Sequence, residues 1–135
     1  MKVVYFSSTG NTEAMARMLE EELGKVGVSA ELVEVSDASA SDLEGEDVFA
    51  LGCPAMGDEE LDDDMESLEQ EVEKFAAGKK IGLFGSYDWG EGDWMRTWEG
   101  RLTDAGATVV GTVIANLEPD DQAQADLAEL AKKLV

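Results

Sequence analysis

The run Ser7-Ser8-Thr9-Gly10-Asn11-Thr12 carries a hydroxyl or an amide on five of its six side chains, and it lies between an apolar stretch, Val3-Val4-Tyr5-Phe6, and the start of a helical pattern. A strand-to-helix turn of this kind, with Gly10 free to let the backbone curl, aims successive N–H groups into one concavity and makes an anion cradle. The spacing is neither Gly-x-x-x-x-Gly-Lys-Ser/Thr nor Gly-x-Gly-x-x-Gly, and no lysine stands in it to reach a nucleoside polyphosphate. What remains is a site for a phosphate monoester, built from neutral donors and a helix N-terminus. Taken alone, the run also reads as a hydroxyl-rich helix cap.

Other reactive groups are scarce. Histidine is absent, which removes the usual general base, the commonest transition-metal ligand and the Ser-His and Cys-His nucleophile pairs. The single cysteine, Cys53, permits no internal disulfide and follows an apolar run, where a small buried residue is a simpler reading than a reactive thiol. Acids outnumber bases 31 to 10, for a net charge of −21. Nucleic acid and anionic membrane surfaces repel such a chain, so its partners should be basic. No apolar run approaches the length that spans a bilayer, and no signal peptide opens the sequence; with the lone cysteine, these features point to a reducing cytoplasm.

The elements that must position the cradle follow from periodicity. At 135 residues and 44% hydrophobic, the chain suits one domain, 1–135, with a real core. Residues 2–6, 48–52 and 81–85 are nearly continuous apolar runs, as expected of interior strands covered on both faces. Residues 29–35 alternate in part, which suggests a sheet edge, and 108–115 read as a fifth strand. Helices are expected with Met15, Leu19, Leu23 and Val26 on one stripe, ended by Gly24 and Gly27; with Leu61, Met65, Leu68, Val72 and Phe75 on another, closed by Gly78; with Trp94, Trp98 and Leu102 before Gly106; and with Ala123, Leu127, Leu130 and Leu134 inward after Pro119. The serine-rich link 36–46 leaves room for a short helix at most. Strands alternating with helices through right-handed crossovers give an α/β fold, a parallel sheet with helices on both faces, and five such units fit the doubly wound order 2-1-3-4-5. Ligands in such sheets sit beyond the carboxyl ends of the strands where the winding reverses, which selects loops 7–12, 53–63 and 86–93.

The second of these loops reads Cys53-Pro54-Ala55-Met56-Gly57-Asp58-Glu59-Glu60 and the third Ser86-Tyr87-Asp88-Trp89-Gly90-Glu91-Gly92. With the 7–12 run, in order and spacing, they resemble the short-chain flavodoxins of anaerobic bacteria from end to end, and flavodoxin is itself a standard example of this strand order with FMN at the switch point. The resemblance implies a bound FMN whose phosphate lies in the first loop, held by Ser7, Thr9, Asn11 and Thr12, with Ser8, Gly10, Pro54, Ala55, Met56, Gly57, Asp58, Glu59, Ser86, Tyr87, Asp88, Trp89 and Gly90 completing the cofactor-binding set. Met56 and Trp89 would flank the ring, and polarizable faces of that kind suit a planar heteroaromatic. The Gly57–Asp58 peptide would turn its carbonyl toward flavin N5 on semiquinone formation, which a residue without a Cβ allows. Glu59 would meet N3–H through its carboxylate and O4 through its N–H. Three positions depart from the family pattern: Ser8 where glycine is frequent, Phe6 where tryptophan is common, and Asp88 in place of a glycine, which sets a carboxylate near the pyrimidine edge.

The function implied is a soluble, monomeric, low-potential electron carrier that cycles FMN between semiquinone and hydroquinone and passes single electrons between redox enzymes. Asp58, Glu59, Glu60, Asp62, Asp63, Asp88, Glu91 and Asp93 would form an acidic rim for basic reductases and oxidoreductases. The alternative is an FMN-dependent quinone or NAD(P)H reductase, yet the flavin loops offer no basic residues for a nucleotide. A phosphorelay receiver of similar topology would need acids at the end of strand one and after strand three, where Phe6-Ser7 and Gly52-Cys53 stand instead.

Overall fold

A computed structural model describes residues 1–135. Five parallel strands, β1 (Lys2–Tyr5), β2 (Glu31–Glu34), β3 (Val48–Gly52), β4 (Lys80–Tyr87) and β5 (Thr108–Asn116), form one sheet in the order β2-β1-β3-β4-β5. The helices are α1 (Asn11–Lys25), α2 (Ala40–Glu44), α3 (Asp63–Glu73), α4 (Asp93–Asp104) and α5 (Asp121–Leu134). The expected order and class are borne out, and β2 is the half-exposed edge strand. In register, Val3 lies beside Leu32 on one side and Ala50 on the other, so β1 and β3 are neighbours although β2 separates them in the chain.

Each face of the sheet has its own core. On one, Met15, Leu19 and Leu23 of α1 and Leu127, Leu130 and Leu134 of α5 pack over Val3, Tyr5, Ala50 and Phe84. On the other, Met65 and Val72 of α3 and Trp94, Trp98 and Leu102 of α4 pack over Val4, Phe49, Leu51 and Ile81, with Leu43 of α2 alongside. Alternate residues of the interior strands point to opposite faces, so both helix layers need apolar partners and the strands read as unbroken apolar runs.

Helix ends differ from expectation. α1 stops at Lys25, so Val26 leaves the buried stripe and stays exposed, and Gly24 lies within the last turn rather than ending it. Likewise α3 stops at Glu73, short of Gly78: its exit tightens through the Lys74 and Phe75 N–H groups, which donate to the Glu71 and Val72 carbonyls. Leu61 and Phe75 therefore pack against the core from the flanks of α3, half-buried.

Three helices bring their own caps. Asp62 accepts from the Asp64 and Met65 N–H groups, Asp120 from Ala123 N–H, and Ser39 forms a capping box with Asp42. The other two, α1 and α4, begin at left-handed glycines, Gly10 (φ +93°) and Gly92 (φ +89°), with no side-chain cap of their own. These two start beyond the carboxyl ends of β1 and β4.

Candidate functional site

The first turn of α1 is arranged by Ser7. Its Oγ accepts from Gly10 N–H and from Glu13 N–H, both at 3.1 Å, so the hydroxyl hydrogen is free to donate elsewhere. The left-handed Gly10 folds the backbone over this oxygen and has no Cβ to fill the space in front, where nothing lies within 4 Å. Ser8 and Thr9 are exposed, and no basic side chain lies in the 7–12 loop. With a cap glycine and hydroxyl donors at the positive end of a helix, the loop is suited to an anion.

Thr12 links this loop to the next. It is fully buried, its hydroxyl lies 2.8 Å from Ser86 Oγ, and its Oγ1 accepts from Ser86 N–H at 3.3 Å. Ser86 in turn accepts Ala55 N–H at its carbonyl, 3.0 Å away. One serine at the end of β4 thus ties the first turn of α1 to the loop after β3. Because Ser86 N–H is taken by Thr12, the neighbouring carbonyl of Cys53 is served by the indole Nε1–H of Trp94, at 3.0 Å. The backbones are close here: a Cβ on Gly85 would fall 2.1 Å from that carbonyl oxygen.

Beyond this knot lies a cleft. Ser8, Thr9 and Asn11 form one wall, Pro54 and Ala55 a second, and Ser86, Tyr87 and Asp88 a third. The three loops selected at the switch point are therefore brought together. A fourth wall, Leu117, was not foreseen: it follows β5, sits half-exposed in the left-handed region (φ +59°), and is held by its N–H to the Tyr87 carbonyl at 2.7 Å. Asn116 Nδ2 donates to the same carbonyl. Its only sequence signal is its place after a strand, one loop away from the switch point.

The remaining predicted residues sit outside that cleft. Met56 and Glu60 exchange backbone hydrogen bonds of 2.9 and 2.8 Å, closing a tight turn in which Gly57 (φ +43°) and Glu59 (φ +57°) are left-handed and Gly57 and Asp58 are exposed. Glu59 reaches out of this turn. Its Oε1 accepts from Gly92 N–H (3.2 Å) and Asp93 N–H (3.0 Å), so the cap that α4 lacks comes from the loop after β3. Gly90 passes the same carboxylate so closely that a Cβ there would clash with it. Trp89 is 57% exposed at the tip of its loop.

Cys53 is fully buried at the base of the site, and burial pushes its thiol up to about 12, so it stays protonated and unreactive, as expected of a packing residue. No group of acids and cysteine is placed to hold a metal ion.

A family model described as Flavodoxin matches residues 3–133. The chain is 46% identical to the flavodoxin of Megasphaera elsdenii, with 98% of each chain covered, and 42% identical to that of Clostridium beijerinckii, with 99% of this chain and 98% of the relative covered. Among solved structures, the two-electron reduced M. elsdenii flavodoxin in solution superposes with a TM-score of 0.90 over 98% of both chains. Oxidised flavodoxin 1 from Bacillus cereus does so with a TM-score of 0.87 at 27% identity, covering 98% of this chain and 95% of that one.

Proposed function

The chain belongs to the flavodoxin family and is a small FMN-bound electron carrier, not an enzyme, and from that premise we propose that it works at low potential as a single 1–135 domain, a monomer in the cytoplasm. The observation that supports this reading most is the cleft at the ends of β1, β3 and β4. Its donors are hydroxyls, amides and the start of α1, without a lysine or arginine, and its other walls are Pro54, Ala55, Tyr87 and Leu117. That set fits a phosphate monoester continued by an apolar, planar group.

When bound, FMN takes up and returns electrons one at a time. In our reading Ser7, Thr9, Asn11 and Thr12, with Ser8 and Gly10 of the same loop, hold its phosphate with hydroxyl and backbone donors, and Thr12, through Ser86, also fixes the distance between this cradle and the other two loops. Pro54, Ala55, Met56, Gly57, Asp58 and Glu59 form one side of the ring site and Ser86, Tyr87, Asp88, Trp89 and Gly90 the other. The left-handed turn at Gly57 leaves a peptide free to reorient without a Cβ in its way. Glu59 holds the two sides together through α4.

Electrons are exchanged with redox partner proteins, and the rim supports basic ones. Asp58, Glu60, Asp63, Asp88, Glu91 and Asp93 are all exposed around the opening, on a chain of net charge −21. No helix is long and apolar enough to cross a membrane.

The test is titration of the purified protein with FMN, FAD and riboflavin. One-to-one binding of FMN with much weaker binding of the other two is expected, because the cradle closes on a terminal phosphate. Stoichiometric FAD, or equal affinity for riboflavin, would overturn the assignment of the 7–12 loop.

A further inference from the structure

Glu69 is an acid in the wrong place. It lies on the apolar stripe of α3 with no accessible surface, pressed against α4. Its Oε1 accepts the indole Nε1–H of Trp98 at 2.7 Å, and its Oε2 is buried without a partner. The one cation nearby is already committed: Arg101 of α4 gives Nη1 and Nη2 to the two Glu66 oxygens at 2.8 Å each, and Nε to Glu73 at 2.9 Å. Glu69 therefore faces Glu66 and Glu73 along its own helix and Arg101 and Trp98 across the interface. The core that α3 and α4 cover is apolar. An ionised carboxylate with a single neutral donor and a bare buried oxygen is costly, and the neutral acid is the form such a site accepts.

We infer that Glu69 is a proton-holding positioning residue: a neutral carboxyl group that seats α4, and with it the Trp89–Trp94 turn, against the 53–60 loop, and that loosens this contact when its proton leaves. The route is continuous. Trp98 lies one turn after Trp94, whose indole serves the Cys53 carbonyl, and the N–H groups at the start of α4 are capped by Glu59. What α4 positions at its far end rests on the flavin site proposed above; the proton itself does not. Burial, with the Glu73 carboxylate beside it, pushes Glu69 up to about 8. The folded state thus keeps a proton that the unfolded chain gives up near the ordinary glutamate value, so stability is full below that value and is lost as pH rises through about 8.

The experiment compares the wild type with Glu69→Gln, which keeps the oxygen for Trp98 and cannot ionise, and with Glu73→Gln, which removes the neighbouring like charge. Unfolding midpoints of the FMN-free proteins and their tryptophan emission are followed from pH 5 to 10. Relative to Glu69→Gln, the wild type should lose stability progressively as pH rises and then level off, with an emission change, centred where the loss levels off, that the variant lacks. In Glu73→Gln the levelling-off should move to lower pH. Midpoints of wild type and Glu69→Gln that stay parallel throughout would overturn the inference, as would a Glu73→Gln profile superimposable on the wild type. A second arm measures FMN dissociation constants of the FMN-bound form: the wild-type to Glu69→Gln ratio should grow with pH, by at most about tenfold per unit for one linked proton. A constant ratio would refute the link from Glu69 to the flavin loops, whereas absence of FMN binding by the wild type would refute the flavin site and leave the proton to be judged by the first arm.

Discussion

Replacing Trp94 by phenylalanine tests how the loop after β3 is held. The indole is 2% exposed, stacks at a tilt on Tyr87 with ring centroids 5.7 Å apart, and donates to the Cys53 carbonyl at 3.0 Å. Phenylalanine keeps a ring in the core and removes the donor. A buried carbonyl left without a partner costs about 1–3 kcal/mol. Roughly 40 Å² of apolar ring no longer buried adds about 1 kcal/mol. The expected loss is therefore about 2–4 kcal/mol, which at this chain length lowers the thermal midpoint by roughly 8–16 °C. Urea unfolding of the FMN-free protein should show the same loss with an unchanged m-value, since the surface exposed on unfolding is the same. Met95→Leu, a volume-conserving change in the same turn, is the control and should cost less than about 1.5 kcal/mol. A Trp94→Phe midpoint within about 4 °C of the parent would mean that the Cys53 carbonyl has another donor and that α4 does not fix this loop.

Further expectations concern charge. Glu59→Ala removes the only side-chain cap of α4 and should destabilise the protein by about 1 kcal/mol in urea unfolding, with Glu59→Gln intermediate; equal stability of all three would show that the carboxylate does not cap the helix. Asp88→Asn removes an exposed negative charge that lines the cleft, so the more negative of the two flavin potentials should rise by on the order of tens of millivolts at low salt and by less at high salt; a potentiometric titration showing no rise would place Asp88 away from the flavin. Electron transfer to a basic reductase should slow as salt is raised and the screening length shortens to about 10 Å at 0.1 M, and rates flat across ionic strength would count against docking on the acidic rim.

The order of strands and helices was legible because it rests on local periods. Continuous apolar runs at Val48–Gly52 and around Ile81 fit strands covered on both faces, and five strand–helix units fit the doubly wound order that sets β1 beside β3. The cradle was legible for the same reason: Ser7, Gly10 and Glu13 meet within one turn of chain. Partners far apart in sequence were not. The bond of Thr12 to Ser86, 74 residues on, and the cap that Glu59 places on α4, 33 residues later, come only with the fold. Glu69 passes for a solvated acid, since nothing in its own helix announces that Trp98, 29 residues away, will cover it and supply its one donor. Val26 failed in the opposite sense, an apolar residue carried past the end of α1 into solvent. Hydrophobic burial depends on a residue's place in a repeating pattern, which the sequence states. A hydrogen-bond partner, and the proton that goes with it, depends on which atoms lie within about 3 Å in space, and only the packed structure decides that.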